Sequence, residues 1–249
     1  IQVQRGLRPD CVVMFDECTP FHVDKSYTAE SMRRSHRWGD RSLVEFQKHH
    51  DGTQCLYGII QGGVYEDLRL ESTDFVNTRP FFGHAVGGSL GASKNQMYDV
   101  VAFTMAQLEK SRPVHLLGIG GIQDIFTGVT HGIDTFDCVH PTRLARHGGA
   151  LIRADQGEPT IKEHLNLKNE RFKLDSRPID ETCSCHTCQH FSRAYLNYAF
   201  KAQEMIAISA VTVHNVAFMN RLMQAVRNAI LNNTLEEEKK KWIHDTPNP

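Results

Sequence analysis

The segment Gly132-Ile-Asp-Thr-Phe-Asp-Cys-Val-His-Pro-Thr-Arg-Leu-Ala-Arg-His-Gly-Gly149 sets the reading of the whole chain. Ile133 to Asp137 has the pattern of a short buried strand that ends in a carboxylate. A Cys and a Pro then lead into a loop holding Arg143, Arg146 and His147. A carboxylate at a strand exit can serve as nucleophile or base, and guanidinium groups suit phosphate through their fixed fork of donors. An ordinary strand end beside a solvated loop reads equally well from these residues alone, so the neighbouring segments decide.

Working outward, the same arrangement recurs. Cys11-Val-Val-Met-Phe15 runs into Asp16, Glu17 and Cys18; Leu56-Tyr-Gly-Ile-Ile60 runs into Gln61-Gly62-Gly63. Gly83-His-Ala-Val86 leads to Gly87-Gly-Ser-Leu-Gly91, and Val114-His-Leu-Leu117 to Gly118-Ile-Gly-Gly121. Helical composition separates them near residues 27–48, 64–76 and 94–110, and a sixth strand candidate is Ala207 to Val213. Gly118-x-Gly120 lacks the third glycine of a dinucleotide fingerprint. Alternating strands and helices imply a parallel sheet covered by helices. Polar or glycine residues at Asp16, Gln61, Gly87 with Gly88, Gly118 and Asp137 follow successive strand ends, as on the active face of a (β/α)8 TIM barrel. The expectation is an α/β chain covering about the last six strands of such a barrel, the other two preceding Ile1.

The long interruption after Asp137 contains Cys183-x-Cys185-x-x-Cys188, with His214 after 25 further residues. Three thiolates and an imidazole form the ligand set of a closed, structural Zn2+ site. The expected organisation is a barrel portion with the catalytic face over 1–150, an inserted zinc-binding subdomain over 151–208, and a final strand with C-terminal helices over 209–249. A helix from about Ala217 to Asn232 carries its apolar residues at helical spacing.

Composition sets limits on function. The 249 residues are 40% hydrophobic and 23% charged with a formal net charge of -1, so no overall field draws the chain to nucleic acid. Residues 138–178 hold eight Lys/Arg against five Asp/Glu, a local excess of three. No apolar run reaches the roughly 20 residues of a membrane span, and no basic-then-apolar leader is present, so a cytoplasmic location is expected. Seven cysteines, three of them within six residues, read as metal binding rather than a disulfide framework. The first residue is Ile, which suggests the later part of a longer chain.

Phe15-Asp-Glu-Cys-Thr-Pro20, Gly58-Ile-Ile-Gln-Gly62, Ala85-Val-Gly-Gly88, Phe136-Asp-Cys-Val-x-Pro-Thr-Arg143 and the Cys3His set, in that order, closely resemble the tRNA-guanine transglycosylase family of bacterial type. The resemblance covers about residues 5–244. It implies a zinc-containing TIM barrel that exchanges guanine at the first anticodon position of tRNA for a 7-deazaguanine. It implies that Asp137 is the nucleophile that holds the RNA as a covalent Asp-ribose intermediate. Asp16 and Gln61 would meet the base edge, with Cys18, Gly87, Gly88, Ser89, Gly91 and Leu117 lining its pocket. Arg143 and Arg146 would bind RNA, positioning rather than specifying it, and the target nucleotide would be flipped from its stack. A homodimer is also implied.

Two departures from the family pattern bear on function. The earlier segment that carries a general acid/base Asp and a stacking aromatic in family members is not matched. Where many bacterial members read Gly-Gly-Leu-Ala-Val-Gly-Glu, this chain reads Gly87-Gly-Ser-Leu-Gly-Ala-Ser93. Gly91 for Val makes room beside the base substituent, and Ser93 for an acid removes a charge suited to an aminomethyl cation, so queuine is expected over the aminomethyl precursor. The competing reading is a noncatalytic RNA-binding scaffold subunit.

Overall fold

The structure, a computed structural model, describes residues 1–48, 50–155 and 163–244. The chain divides into two compact units, residues 1–120 with 127–137, and residues 121–126 with 138–249. In chain order the elements are α1 (Gln2–Leu7), β1 (Cys11–Val13), α2 (Lys25–Gln47), β2 (Cys55–Ile60), α3 (Glu66–Asn77), β3 (Gly83–Val86), α4 (Lys94–Gln107), β4 (Val114–Leu116), α5 (Ile122–Thr130) and β5 (Thr135–Phe136). There follow α6 (His140–Arg146), β6 (Gly149–Leu151), β7 (His164–Asn166), a 3-10 turn at Glu170–Phe172, α7 (His186–His190), α8 (Arg193–Lys201), α9 (Met205–Leu231) and α10 (Leu235–Trp242).

The first unit is built on one parallel sheet in the order β1-β2-β3-β4-β5. Every strand pairs with its successor. A doubly wound sheet reverses direction at a switch point, whereas uninterrupted winding is what barrel closure requires; the sheet is therefore that of a partial barrel. Its strands are short and apolar because both faces are covered. Val12, Leu56, Ile60, Val86, Val114 and Leu116 are among the residues of one buried cluster with helix residues such as Phe75 and Val101. Polar caps start the helices: Asp24 accepts from the Tyr27 N–H at 2.8 Å and begins α2, and Ser93 accepts from the Gln96 N–H at 3.2 Å and begins α4. Basic residues of α2 are engaged with carboxylates, Arg33 with Glu71 and Arg34 with Glu17 and Glu30.

The second unit has its own core of Ala150, Leu165, Phe172, Ile179, Leu196 and Val211, among others. Here two expectations are corrected. Ala207 to Val213 is not a strand but the beginning of α9, which runs unbroken through the helix expected from Ala217. Its buried residues Ala207, Ala210, Val211, His214, Phe218, Leu222 and Val226 follow a 3.6-residue period that overrides the local β propensity of Ile208 and Val213. The parallel strands among the described residues are therefore five rather than six. Arg143 and Arg146 lie not in a loop but in the last turn of α6, which begins at His140 with Pro141 in its first turn, where the missing N–H costs nothing.

Candidate functional site

All the strand exits singled out above lie at the carboxyl end of the one sheet. After β1, Asp16 accepts a hydrogen bond at Oδ2 from Gln61 Nε2 at 2.6 Å, across from β2. Burial pushes the Asp16 carboxyl up, and the Gln61 N–H opposes this only in part. Gln61 is buried, its backbone N–H donates to Ser72 Oγ at 3.0 Å, and its Oε1 has no hydrogen-bond partner among the described residues. That oxygen faces Gly88, whose φ is 75° and where an added Cβ would stand 2.5 Å from it. A Cβ on Gly87 would stand 3.1 Å from Leu117 Cδ1. Only glycines permit this close approach. The Gly88 N–H also reaches the Cys18 sulfur, whose thiol is raised chiefly by burial and then by the nearby Asp16.

One residue that holds this group was not singled out from the sequence. Arg69 on α3 is fully buried, and its guanidinium donates to the carbonyls of Gly63 at 2.7 Å, Ile60 at 3.3 Å, Gly87 at 2.9 Å and Ser89 at 3.2 Å. Burial, with no carboxylate among the described residues to offset it, pulls the Arg69 guanidinium down to about 10. Arg69 therefore ties the loop after β2 to the loop after β3. The signal was available: Arg69 falls on the same helical stripe as Ser72, Thr73 and Val76, all buried.

At the far side of the sheet, Asp137 leaves β5. Its Oδ1 accepts from the Gly118 N–H at 2.8 Å and contacts His115 Nε2 at 3.1 Å. Gly118 sits at φ 72°, a left-handed conformation that turns its N–H back toward the neighbouring strand. His115 Nδ1 in turn contacts Thr135 Oγ1 at 2.9 Å. The Asp137 side chain is 58% exposed, so the carboxylate is held at one oxygen and open to solvent. His115 and Thr135 were also missed; period-two alternation places His115 on the same face as Leu117, which directly follows β4.

Gly91 is not drawn into this group. Its φ is 120°, and an added Cβ would meet the Gln96 side-chain amide at 2.6–2.9 Å, so the space left by the missing side chain holds Gln96. Gln96 also accepts from the Ala92 N–H at 3.0 Å. Ser93 is used as the cap of α4. Arg143 and Arg146 belong to the second unit, where they are exposed on α6 opposite the buried Pro141 and Ala145.

The second unit also gathers Cys183, Cys185, Cys188 and His214, whose ligand atoms lie within 4.8 Å of one another. His214 Nδ1 is 3.8 Å from Cys185 Sγ and 3.3 Å from Cys188 Sγ. Tetrahedral bonds of about 2.3 Å to sulfur and about 2.0 Å to nitrogen place such atoms roughly 3.5 Å apart. The donors therefore fit a metal ion. His214 Nε2 donates to the Leu151 carbonyl at 2.8 Å, which leaves the Nδ1 lone pair facing the thiols. A hydrogen bond between Cys188 and Cys183 lowers the Cys183 thiol and raises that of Cys188. Cys185 caps α7, and His214 comes from α9, so the cluster could bind a metal ion that joins the start of α7 to α9.

A family model described as queuine tRNA-ribosyltransferase matches residues 1–248. The chain belongs to that family. It is 40% identical over 252 residues to the queuine tRNA-ribosyltransferase of Roseiflexus sp. (strain RS-1), an alignment covering 98% of this chain and 62% of that protein. It is 43% identical over 231 residues to the queuine tRNA-ribosyltransferase of Thiobacillus denitrificans (strain ATCC 25259 / T1), covering 92% and 60% respectively. A third relative of the same name, from Cyanothece sp. (strain PCC 7425 / ATCC 29141), is 39% identical over 250 residues, covering 100% of this chain and 63% of that protein. The chain thus spans about three fifths of the length of the curated relatives it matches.

Proposed function

We propose that this chain carries the base pocket and nucleophile of a tRNA-guanine exchange enzyme, within an eight-stranded barrel of which its five strands form part. The arrangement of Asp137 carries the reading. One carboxylate oxygen is fixed by a backbone N–H at 2.8 Å, and more than half of the side chain stays open, which suits a nucleophile that must meet a flipped-out nucleotide. Asp137 would attack the ribose anomeric carbon as the glycosidic bond breaks and its electron pair passes to the departing guanine. The incoming base, giving up its ring proton, would then attack the same carbon and expel the carboxylate. A carboxylate suits both displacements because it is a competent nucleophile and leaving group.

A guanine edge offers N–H donors to a carboxylate and a carbonyl to an amide N–H, and Asp16 beside Gln61 supplies that pair. The orphaned acceptor of Gln61 and Gly88 pressed against it support a flat, polar ligand in this place. Arg143 and Arg146, exposed on α6, would contact RNA phosphates. Cys183, Cys185, Cys188 and His214 would hold one Zn2+, which with four protein ligands supplies folding energy rather than chemistry. We place the protein in the cytoplasm with its tRNA; no described helix is long and apolar enough to cross a membrane. A homodimer is part of the same proposal.

The imported base is proposed to be queuine. Its support is the absence of an acid at Ser93 rather than free space at Gly91, where Gln96 already sits. Labelled guanine exchange into tRNA with guanine at the first anticodon position tests the reaction: exchange by the parent and none by Asp137→Asn is expected. Equal exchange by both sinks the assignment. Competition between the two bases tests the preference, and a clear advantage for the aminomethyl precursor removes it.

A further inference from the structure

The triad His115, Thr135 and Asp137 carries an inference that rests on the reading of Asp137 as nucleophile. We propose that His115 is a positioning residue that commits Oδ1 of Asp137 and leaves Oδ2 as the attacking oxygen. The pairing of β4 with β5 sets His115 directly opposite Thr135, and Asp137 is two residues beyond Thr135, on the same face of the strand. Strand register, not a loop, therefore aligns the three side chains.

Hydrogen-bond roles follow from chemistry. An ionised carboxylate only accepts, so the imidazole nitrogen 3.1 Å from Asp137 Oδ1 must carry the proton. A neutral ring has one donor, so Nδ1 is then the acceptor, and the Thr135 hydroxyl 2.9 Å away donates to it. Thr135 thereby fixes the tautomer that His115 needs. With the Gly118 N–H also on Oδ1, that oxygen receives two donors while no bond to Oδ2 is present among the described residues. Two donors on one oxygen lower its nucleophilicity and lock the carboxylate plane, so attack comes from the other oxygen in a fixed direction. Removing the imidazole frees the carboxylate to rotate about its side-chain torsions, and loss of near-attack geometry is what slows the reaction.

The test uses the full-length, zinc-loaded protein and traps the covalent RNA adduct at saturating tRNA. His115→Phe is expected to slow adduct formation by roughly 10- to 100-fold with the KM for tRNA unchanged. His115→Gln, whose amide N–H can still reach the carboxylate, recovers most of the rate, and Thr135→Val lies between. Nitrogen NMR of the histidine rings supplies a readout that needs no turnover: His115 should carry its proton on Nε2 in the parent and lose that tautomer preference in Thr135→Val. Parental adduct rates in His115→Phe, in a protein whose Asp137→Asn form makes no adduct, overturn the role of His115 and leave the nucleophile standing. Absence of adduct from the parent overturns both. An Nδ1–H tautomer in the parent overturns the His115 proposal even where His115→Phe does not fold.

Discussion

Replacing Arg69 with Met should loosen the proposed base pocket from behind. The guanidinium makes four hydrogen bonds to carbonyls of the loops after β2 and β3. At the low end for bonds to a charged group, about 1.5 kcal/mol each, their loss is worth ~6 kcal/mol. Against this stands the cost of burying the cation. Burial lowers Arg69 from 12.5 to about 10, and at about 1.4 kcal/mol per tenfold change this is a penalty of ~3 kcal/mol that methionine does not incur. The net loss is ~3 kcal/mol, or roughly 6–12 °C in melting temperature for a chain of this size. Thermal melts of zinc-loaded parent, Arg69→Met and Arg69→Lys measure it, and exchange kinetics should show a raised KM for the base. A melting temperature within about 2 °C of the parent, together with an unchanged KM for the base, would refute the idea that Arg69 organises these loops.

Three further outcomes are expected. Gly88→Ala places a Cβ 2.5 Å from Gln61 Oε1 at a φ of 75°, a strain of about 1–2 kcal/mol; base affinity should fall about tenfold or more while RNA retention on filters is unchanged. His214→Ala, or a strong chelator, should abolish metal content and melt the second unit, which circular dichroism and metal analysis would register; a chelated protein with an unaltered melt contradicts a structural metal. Acid should destabilise the first unit through its buried histidines. Burial holds His36 and His84 at about 4 rather than 6.5, so the unfolded chain takes up these protons first. Their stabilisation is complete above pH 6.5 and is lost as pH falls toward 4, at up to about 1.4 kcal/mol per pH unit for each. Denaturant titrations of His84→Phe should show a shallower acid slope than the parent, and an identical slope would remove His84 from the explanation.

The strand exits were legible because a parallel strand buried on both faces is a short apolar run, and the residue that ends it must be polar or glycine. Asp16, Gln61, Gly87, Gly118 and Asp137 stand out for that reason. The cysteine spacing was legible because soft ligands so close together have few other uses. Misreadings came where local preference and longer period disagree. Ile208, Val211 and Val213 imitate a strand over seven residues, and only the recurrence of buried positions to Val226 exposes the helix. Arg143 and Arg146 suggested a loop because charge was weighed above Pro141, a helix-start residue. Arg69 and His115 stayed hidden for a different reason. A charge inside a helix is read as surface and a histidine inside a strand as filler, and only tertiary hydrogen bonds give either a task.

Asn215, which follows His214 in sequence, links segments made far apart in time.

 Its amide accepts from the Leu151 N–H at 2.9 Å and donates to the carbonyls of Pro141 at 2.9 Å and Gly149 at 3.0 Å, while the adjacent His214 donates to the Leu151 carbonyl. These bonds span 63 to 74 residues of chain. The five-stranded sheet, by contrast, is complete at Phe136. On a ribosome the first unit can therefore assemble while the second is still waiting for α9 to emerge. Closure over such separations is slow, and until it occurs β6 is paired only with β7 and both β6 and α6 lack their contacts with α9. Synthesis thus leaves an interval in which Asp137 is already seated at the end of the sheet and α6, next to it in sequence, is not yet packed.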